Sequence, residues 1–153
     1  MESGEVSIWD FVTGRRLRRF QEHTNQIDAL RFSHHGTWLA SAGQDNRVVL
    51  YEVRKGMVPR QLEGHTDWVF GLAFAPDDKT LVSTSWDGSI RFWSLANYQV
   101  ALMLVGGGRD NSVAFSPDGN LMATCGADGT ARLWPAAKFS EITASEKSET
   151  KKR

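Results

Sequence analysis

The stretch that decides the fold runs from Gly64 to Trp93 and reads GHTDWVFGLAFAPDDKTLVSTSWDGSIRFW. Its apolar residues fall into three runs of strand length, and within these runs they mostly alternate with small or polar residues. Turn-forming residues separate the runs, first at 76–78 and again at 86–88. Alternating runs of this length separated by turns predict a meander of three antiparallel strands.

Chemically similar residues recur before and after this stretch at a nearly constant spacing. His65, Asp87 and Trp93 have counterparts 42 positions earlier, and the last two have identical counterparts 41 positions later. The earlier counterparts are His23, Asp45 and Tyr51, and the later ones are Asp128 and Trp134. The residues in phase with Ser83 are Ser41 and Thr124. A spacing of this size that recurs over most of the chain indicates a repeat architecture with one structural unit per repeat.

The Gly-His pair at 64–65, the Trp-Asp pair at 9–10 and the repeat spacing resemble the WD-repeat β-propeller family, over about residues 6–134. The resemblance implies an all-β fold, a partial β-propeller of four-stranded antiparallel blades with three blades plus a partial first blade. Closed propellers contain about 4–8 blades. We therefore expect the chain to be part of a larger propeller or to assemble with other copies. A larger propeller, of which this chain would be the C-terminal part, is favoured because the sequence begins in mid-blade.

The predicted propeller region is 5–137, with repeat units at about 5–20, 23–62, 65–104 and 106–134. In the first unit, Glu5–Trp9 is expected to form a third strand and Arg15–Phe20 an outer fourth strand, with Leu17 and Phe20 facing inward and the arginines facing solvent. Pro135 has no N–H to donate, so strand pairing is predicted to stop there. The polar segment 138–153 is predicted to be a disordered tail.

Composition excludes several classes of function. The chain of 153 residues carries 18 basic and 18 acidic side chains, a balance that argues against binding nucleic acid or an anionic membrane. It has one cysteine, so an internal disulfide framework is excluded. No apolar run approaches the ~20 residues of a membrane span. We expect a soluble, cytoplasmic protein with no cofactor and no metal, since His34 and His35 have no acid or cysteine at ligand spacing.

The resemblance implies that the recurring polar residues are structural tetrads, in which Asp binds His, His binds Ser or Thr, and the hydroxyl binds Trp or Tyr. Their members are His23, Ser41, Asp45, Tyr51, His65, Ser83, Asp87, Trp93, Thr124, Asp128 and Trp134. The alternative is a Ser-His-Asp catalytic triad, but active sites do not recur in periodic copies, so we predict that the chain is not an enzyme. The third unit has Gly106 at the His position, so its Asp and Thr are expected to lack a His partner in a looser blade.

Family members often bind partners at three top-face positions per repeat, which are three and five residues after the His and one before the Asp. In this chain they are Gln26, Asp28, Gln44, Trp68, Phe70, Trp86, Arg109, Asn111 and Ala127. The aromatic ones all belong to the second unit. Trp68 and Phe70 are out of phase with the apolar core set, so core packing does not require them. Clustered exposed aromatics are typical of interaction hot spots. The alternative, packing against loops of neighbouring blades, stays open.

The predicted function is a non-catalytic protein–protein interaction scaffold of the WD-repeat type, with other proteins or peptides as partners. The alternative is a regulatory or substrate-docking module in a larger propeller-containing enzyme or signalling protein. The open propeller ends also predict possible self-association, because unpaired strand edges and uncovered apolar faces are templates for it. In that case Arg15–Phe20 of one copy would complete the last blade, residues 111–134, of another.

Overall fold

The computed structural model describes residues 4–53, 58–105 and 108–136, and these ranges contain thirteen β-strands. The strands are β1 Val6–Trp9, β2 Arg16–Phe20, β3 Ile27–Phe32, β4 Trp38–Gly43, β5 Val48–Glu52, β6 Pro59–Leu62, β7 Val69–Phe74, β8 Thr80–Ser85, β9 Ser89–Ser94, β10 Gln99–Val105, β11 Asp110–Phe115, β12 Leu121–Gly126 and β13 Ala131–Pro135.

The strands form four antiparallel sheets in chain order. Strands β1 and β2 form a two-stranded half-blade, β3–β6 form blade one, β7–β10 form blade two, and β11–β13 form a three-stranded blade three. Within each sheet every strand pairs with its neighbour in the sequence, which is the meander that the alternating runs predict. The prediction of an all-β partial propeller is confirmed.

A tight turn joins the second and third strands of each blade, and its last residue has a positive φ. In blades two and three this residue is Gly88, with φ 80°, or Gly129, with φ 75°. In blade one it is Asn46, with φ 67°, a residue that tolerates the left-handed conformation better than most. The turn-forming residues at 86–88 therefore close a hairpin, and they leave Asp87 at the end of the blade.

The apolar core lies between the sheets. Because side chains alternate across a strand, each blade presents one face to the blade before it and the other to the blade after it. Leu50 of blade one packs with Leu72 of blade two, and Val82 of blade two packs with Val113 of blade three. The half-blade covers part of blade one through Val6. Each blade is therefore stabilised mainly by its neighbours, as in other repeat proteins.

One of two local predictions near the ends of the described region was wrong. Leu17 is 56% exposed, because β2 has no sheet on that side, whereas Phe20 does face inward and packs on Tyr51 with ring centroids 5.0 Å apart. Strand β13 ends at Pro135, as predicted, although Pro135 itself still lies opposite Leu121 in the register and the next residue donates its backbone N–H to Asn120 at 2.8 Å. The proline is tolerated because its missing N–H points away from β12.

Some predictions fall on residues that the structure leaves undescribed. These are the Gly106 position and the tail, 138–153. None of the segments that the structure does describe forms a helix long and apolar enough to cross a membrane.

Candidate functional site

The polar residues predicted as a tetrad in blade two form one chain of hydrogen bonds. The carboxylate of Asp87 lies 2.8 Å from Nδ1 of His65, and Nε2 of His65 lies 2.7 Å from the hydroxyl of Ser83. The indole N–H of Trp93 donates to the same hydroxyl oxygen at 2.8 Å. A neutral His65 fits these partners, with its Nδ1–H donating to Asp87 and its Nε2 accepting from Ser83. Every member of this buried network is therefore satisfied.

Asp87 also accepts hydrogen bonds from backbone N–H groups next to the network. It accepts hydrogen bonds from the backbone N–H groups of Thr66 at 3.1 Å and Ser89 at 2.8 Å. Burial alone would raise the pKa of Asp87, but the hydrogen bonds from Ser89, His65 and Thr66 outweigh it and lower this pKa to about 2. Burial also lowers the pKa of His65, and the neighbouring Asp87 only partly opposes that effect.

Blade one contains the same arrangement with a tyrosine at its end. His23 lies 3.0 Å from Asp45 through Nδ1 and 2.7 Å from Ser41 through Nε2. The hydroxyl of Tyr51 lies 3.4 Å from that of Ser41, so this last contact is longer than the Trp93 contact in blade two. Burial raises the pKa of Tyr51 to about 12. The phenol thus stays protonated and available as a donor.

Blade three replaces the histidine in a way that the sequence reasoning missed. The guanidinium of Arg132 contacts the carboxylates of both Asp110, at 3.3 Å, and Asp128. Asp128 was expected to lack a His partner, and the sequence reasoning did not foresee that an arginine four residues later takes that place. The indole of Trp134 still donates to Thr124, at 3.1 Å.

Asp110 is the unusual member of this arrangement. It is 1% exposed, and it occupies the position that Ile27 and Val69 occupy in the other two blades, at the start of the inner strand. Burial raises the pKa of Asp110, and the charge of Arg132 offsets part of that rise. The available signal was an acidic residue in phase with two aliphatic ones, Ile27 and Val69. A charge at such a position calls for a partner.

The geometry of the tetrads does not support catalysis. Ser83 and Ser41 lie within hydrogen-bond distance of a histidine, as a nucleophile would, but both are completely buried. A hydroxyl that no substrate can reach, and that already accepts from Trp93 in blade two, acts as a structural link. Within the described ranges, no group of three or more His, Cys, Asp or Glu side chains could hold a metal ion.

A hydrogen-bonded contact between the turns of blades one and two was also not predicted. Asp78, in the first turn of blade two, accepts hydrogen bonds from the backbone N–H groups of His34 and His35 at 2.9 and 2.8 Å, and both rings also lie within 3.0 Å of it. Burial would raise the pKa of Asp78, but the bonds from His35 and His34 outweigh it and hold this pKa well below its usual range. The two histidines, for which no acid was found at ligand spacing, thus have an acidic partner from the next repeat.

One backbone hydrogen bond recurs at the predicted top face in all three blades. The residue before the tetrad Asp donates its N–H to the carbonyl of the residue three after the His position, at 2.9 Å each time. The pairs are Gln44 with Gln26, Trp86 with Trp68, and Ala127 with Arg109. The structure thus brings two of the three predicted positions of each repeat together at the end of the blade.

The three aromatic residues of blade two pack against one another, and we refer to Trp68, Phe70 and Trp86 as the aromatic cluster. The indoles of Trp68 and Trp86 are stacked with centroids 5.3 Å apart, and Phe70 lies 4.7 Å from Trp86 and 6.1 Å from Trp68. Trp68 is the most exposed of the three, at 36%.

Blade three supports the cluster from one side. The guanidinium of Arg109 lies 4.9 Å from the ring centroid of Trp86, and the amide oxygen of Asn111 accepts from the indole N–H of Trp86 at 2.7 Å. The expected alternative, packing against a neighbouring blade, therefore applies to Trp86. Trp68 keeps an open surface.

The remaining predicted positions belong to blade one. The side-chain amide of Gln26 donates to one carboxylate oxygen of Asp28 at 2.7 Å. The second carboxylate oxygen of Asp28 is buried and has no partner among the described residues.

Comparison with known proteins agrees with this geometry. Three segments, residues 14–52, 56–94 and 103–135, match the family model described as "WD domain, G-beta repeat". The chain is 31% identical over 100 residues to human "WD repeat and SOCS box-containing protein 1", covering 64% of the chain and 24% of that protein. It is 41% identical over 94 residues to a WD repeat-containing protein of Synechocystis, covering 61% of the chain and 27% of that protein.

A third relative is "Protein HIRA" of rice, 31% identical over 105 residues, which covers 58% of the chain and 11% of that protein. The chain thus spans about a quarter or less of the length of the curated relatives it matches. Most of its residues fall within the three matched repeats, the strands follow the order expected of such blades, and blades one and two carry complete tetrads. The chain therefore belongs to the WD40 repeat family.

Proposed function

We propose that this chain is a non-catalytic scaffold that binds a protein or peptide partner through the aromatic cluster. Repeats of this family are generally non-catalytic and generally bind proteins. The observation that carries the proposal is the open ring surface of Trp68, stacked on Trp86 at the end of blade two. Large aromatic side chains that are held rigidly at a surface contribute most of the energy in many interfaces.

The surroundings of the cluster favour binding because they hold it in one conformation. Arg109 covers one face of Trp86, and Asn111 fixes the direction of its indole N–H. The backbone hydrogen bond from Trp86 to Trp68 joins the residue after β8 to the residue before β7. A partner would then lose little conformational entropy from the scaffold on binding.

The test compares three versions of the chain as bait for partners. A partner that is captured by the wild-type chain is purified and titrated against Trp68→Ala, which should weaken binding by about 2 kcal/mol, roughly 30-fold. Trp9→Ala is the matched control, since Trp9 is an exposed tryptophan on the half-blade. A partner that binds Trp68→Ala as tightly as the wild type would refute the proposal.

A second role fits the coverage of the relatives. Because the matched proteins extend well beyond this region, the same surface could serve as a regulatory or substrate-docking module in a larger enzyme or signalling protein. This role differs only in what is attached to the scaffold, and the same Trp68→Ala comparison tests the docking surface. A cytoplasmic location belongs to the proposal as well, supported by the single cysteine.

A further inference from the structure

The outer strand of blade two, β10, has one edge that no described strand pairs with. It hydrogen-bonds to β9 on one side only. Blades one and three cover the two faces of blade two, and this edge lies at the perimeter, where all residues of β10 but one are exposed. Alternate backbone N–H and C=O groups of β10 therefore point to solvent, which makes the strand a template for pairing.

Strand β10 lacks the features that block pairing at the other outer strands. Its sequence, QVALMLV, is seven residues long and contains no charged residue, proline or glycine. By contrast, β2 carries Arg16, Arg18 and Arg19, and β6 has only four residues, which include Pro59 and Arg60. Charges, prolines and short length are the usual means by which proteins prevent pairing at an edge. Among the outer strands that the structure describes, β10 is thus the one left open.

The strand is also held in place at both ends. The side chain of Leu104 packs into the core between blades two and three. Just before the strand, Tyr98 packs edge-on against Trp38 of blade one, with ring centroids 6.1 Å apart. One bulge interrupts the pairing with β9, between Val100 and Leu102, and the register is regular from there to the end of the strand. A template that is already ordered loses little conformational entropy when a second strand binds.

A pocket of about 340 Å³ lies beside the start of β10, between the outer strands of blades one and two. The guanidinium of Arg60 lies 4.5 Å from the ring centroid of Tyr98 in its wall, so charges of both signs border the pocket and neither sign of ligand is favoured. A polar, uncharged side chain such as glutamine, which both donates and accepts hydrogen bonds, fits these surroundings. The lining residues are Gln61, Glu63, Trp93, Tyr98, Gln99 and Val100.

We propose that an extended, uncharged segment of a partner protein pairs with β10 as a fifth strand of blade two and places a polar side chain in this pocket. In such complexes the main-chain hydrogen bonds provide affinity, and pockets for alternate side chains provide specificity. The site lies at the perimeter of the blade and is separate from the aromatic cluster.

The register shows which side chains the added strand would meet on the side of the sheet that faces blade one. Val100 lies opposite Trp93, which packs into the core shared with blade one, and Met103 lies opposite Arg91 on the same side. Val100 and Met103 are 38% and 48% exposed. An apolar residue of the partner segment thus fits beside Met103, and the polar residue fits beside Val100, next to the pocket.

A second copy of β10 matches this site less well. If two β10 strands paired antiparallel about their centre, Leu104 of one copy would lie opposite Val100 of the other. An apolar side chain would then stand beside a pocket with three polar side chains in its wall. The chemistry of the pocket therefore favours a different segment, and sedimentation of the free chain checks this choice.

The test titrates the ¹⁵N-labelled full chain with the acetylated and amidated peptide TVTVTQT. Paired antiparallel, this peptide places its glutamine opposite Val100 and its two valines opposite Met103 and Val105. The backbone amide signals of β10 should shift in a saturable way, and hydrogen exchange of these amides should slow by about tenfold or more. The indole signals of Trp68 and Trp86 should not move.

Two changed peptides separate backbone pairing from side-chain recognition. TVPPTQT has two adjacent prolines, so one of them removes a donor that faces β10 whichever way the ladder is phased, and it should bind about tenfold more weakly or worse. TVTVTVT lacks the glutamine and should bind about threefold more weakly.

Substitutions in the chain test the same edge from the other side. Met103→Lys places a charge on the edge and should weaken binding of TVTVTQT by about tenfold. Val58→Lys is the matched control, since Val58 is an exposed apolar residue directly before the outer strand of blade one. Trp68→Ala should bind the peptide like the wild type, so failure at the aromatic cluster and failure at β10 give different results. Circular dichroism checks that each variant is folded.

Four results would overturn the proposal. They are no shift at a peptide concentration of about 1 mM, shifts that lie outside β10 and the pocket, equal binding of the proline peptide, and unchanged binding to Met103→Lys. A dimer of the free chain that Met103→Lys abolishes would also overturn it, because the edge would then belong to a second copy.

Discussion

The guanidinium of Arg132 lies 3.3 Å from the carboxylate of Asp110, and it also contacts Asp128. In blade two the carboxylate of Asp87 binds a histidine ring instead. Blade three therefore joins its tetrad Asp to the inner strand through an ion pair, using a residue of its third strand. The hydrogen-bonded connection within the blade is kept although its chemistry is different.

Removing this arginine should destabilise the chain. Arg132→Ala leaves the buried carboxylate of Asp110 without its cation, and we expect the free energy of unfolding to fall by about 2–3 kcal/mol. Arg91→Ala is the matched control, because Arg91 has the same register in blade two but, among the described residues, hydrogen-bonds to the hydroxyl of Ser89 at 3.3 Å and to no carboxylate. Equal unfolding midpoints in urea for the two variants would contradict this assignment.

Loss of the tetrad carboxylate in blade two should also destabilise the fold. Asp87→Ala leaves the ring of His65 and the backbone N–H of Thr66 without their acceptor, and we expect a cost of about 2–4 kcal/mol in chemical unfolding. Asp77→Ala, in an exposed turn of the same blade, serves as the control. If Asp87→Ala kept the wild-type stability and lost an activity instead, the structural role would be disproved.

Stability should depend on pH through His65. Burial lowers the pKa of this residue below 6.5, so native His65 binds its proton less tightly than the unfolded chain does. The contribution of His65 to the free energy of unfolding is therefore complete above pH 6.5. It is lost as the pH falls below that value, by at most about 1.4 kcal/mol per pH unit. Unfolding midpoints measured between pH 7.5 and 5 should decline, and the decline should be smaller in His65→Asn. An equal decline in both proteins would assign the effect to other groups.

A methyl group at Gly71 should be poorly tolerated. A Cβ atom there would lie 2.2 Å from the hydroxyl of Thr84 and 3.1 Å from the Cα of Ser112 in blade three. We expect Gly71→Ala to reduce the free energy of unfolding by about 1–3 kcal/mol through overpacking. In a Thr84→Ala background the cost should fall, because the closest contact is gone. Additive effects of the two substitutions would show that the close approach is not the cause.

The strand pattern and the blade order could be predicted because they follow from local periodicity. Alternating residues such as Val69 and Leu72 and the turns beside Asp87 carry the same information in each repeat. Contacts between repeats carry no such signal. The hydrogen bonds of Asp78 to His34 and His35 join turns 43 and 44 residues apart, and no spacing rule selects one acid from the others nearby.

The missed ion pair of blade three and the error at Leu17 have the same origin. The argument from the repeat did not consider that another residue could replace the missing histidine. Arg132, on the third strand, does so by binding Asp128. The same reasoning assumed that an alternating strand has a buried side. Leu17 is exposed because the half-blade provides no second sheet to cover it.

The stacking of Trp68 on Trp86 makes the proposed docking surface optically active. Two indoles whose rings are 24° from parallel and 5.3 Å apart couple their electronic transitions, and coupled chromophores give a split band in the circular dichroism spectrum. The band depends on the mutual orientation of the rings, so a ligand that wedges against Trp68 would change its shape. The aromatic cluster thus supplies a label-free reporter for the proposed docking.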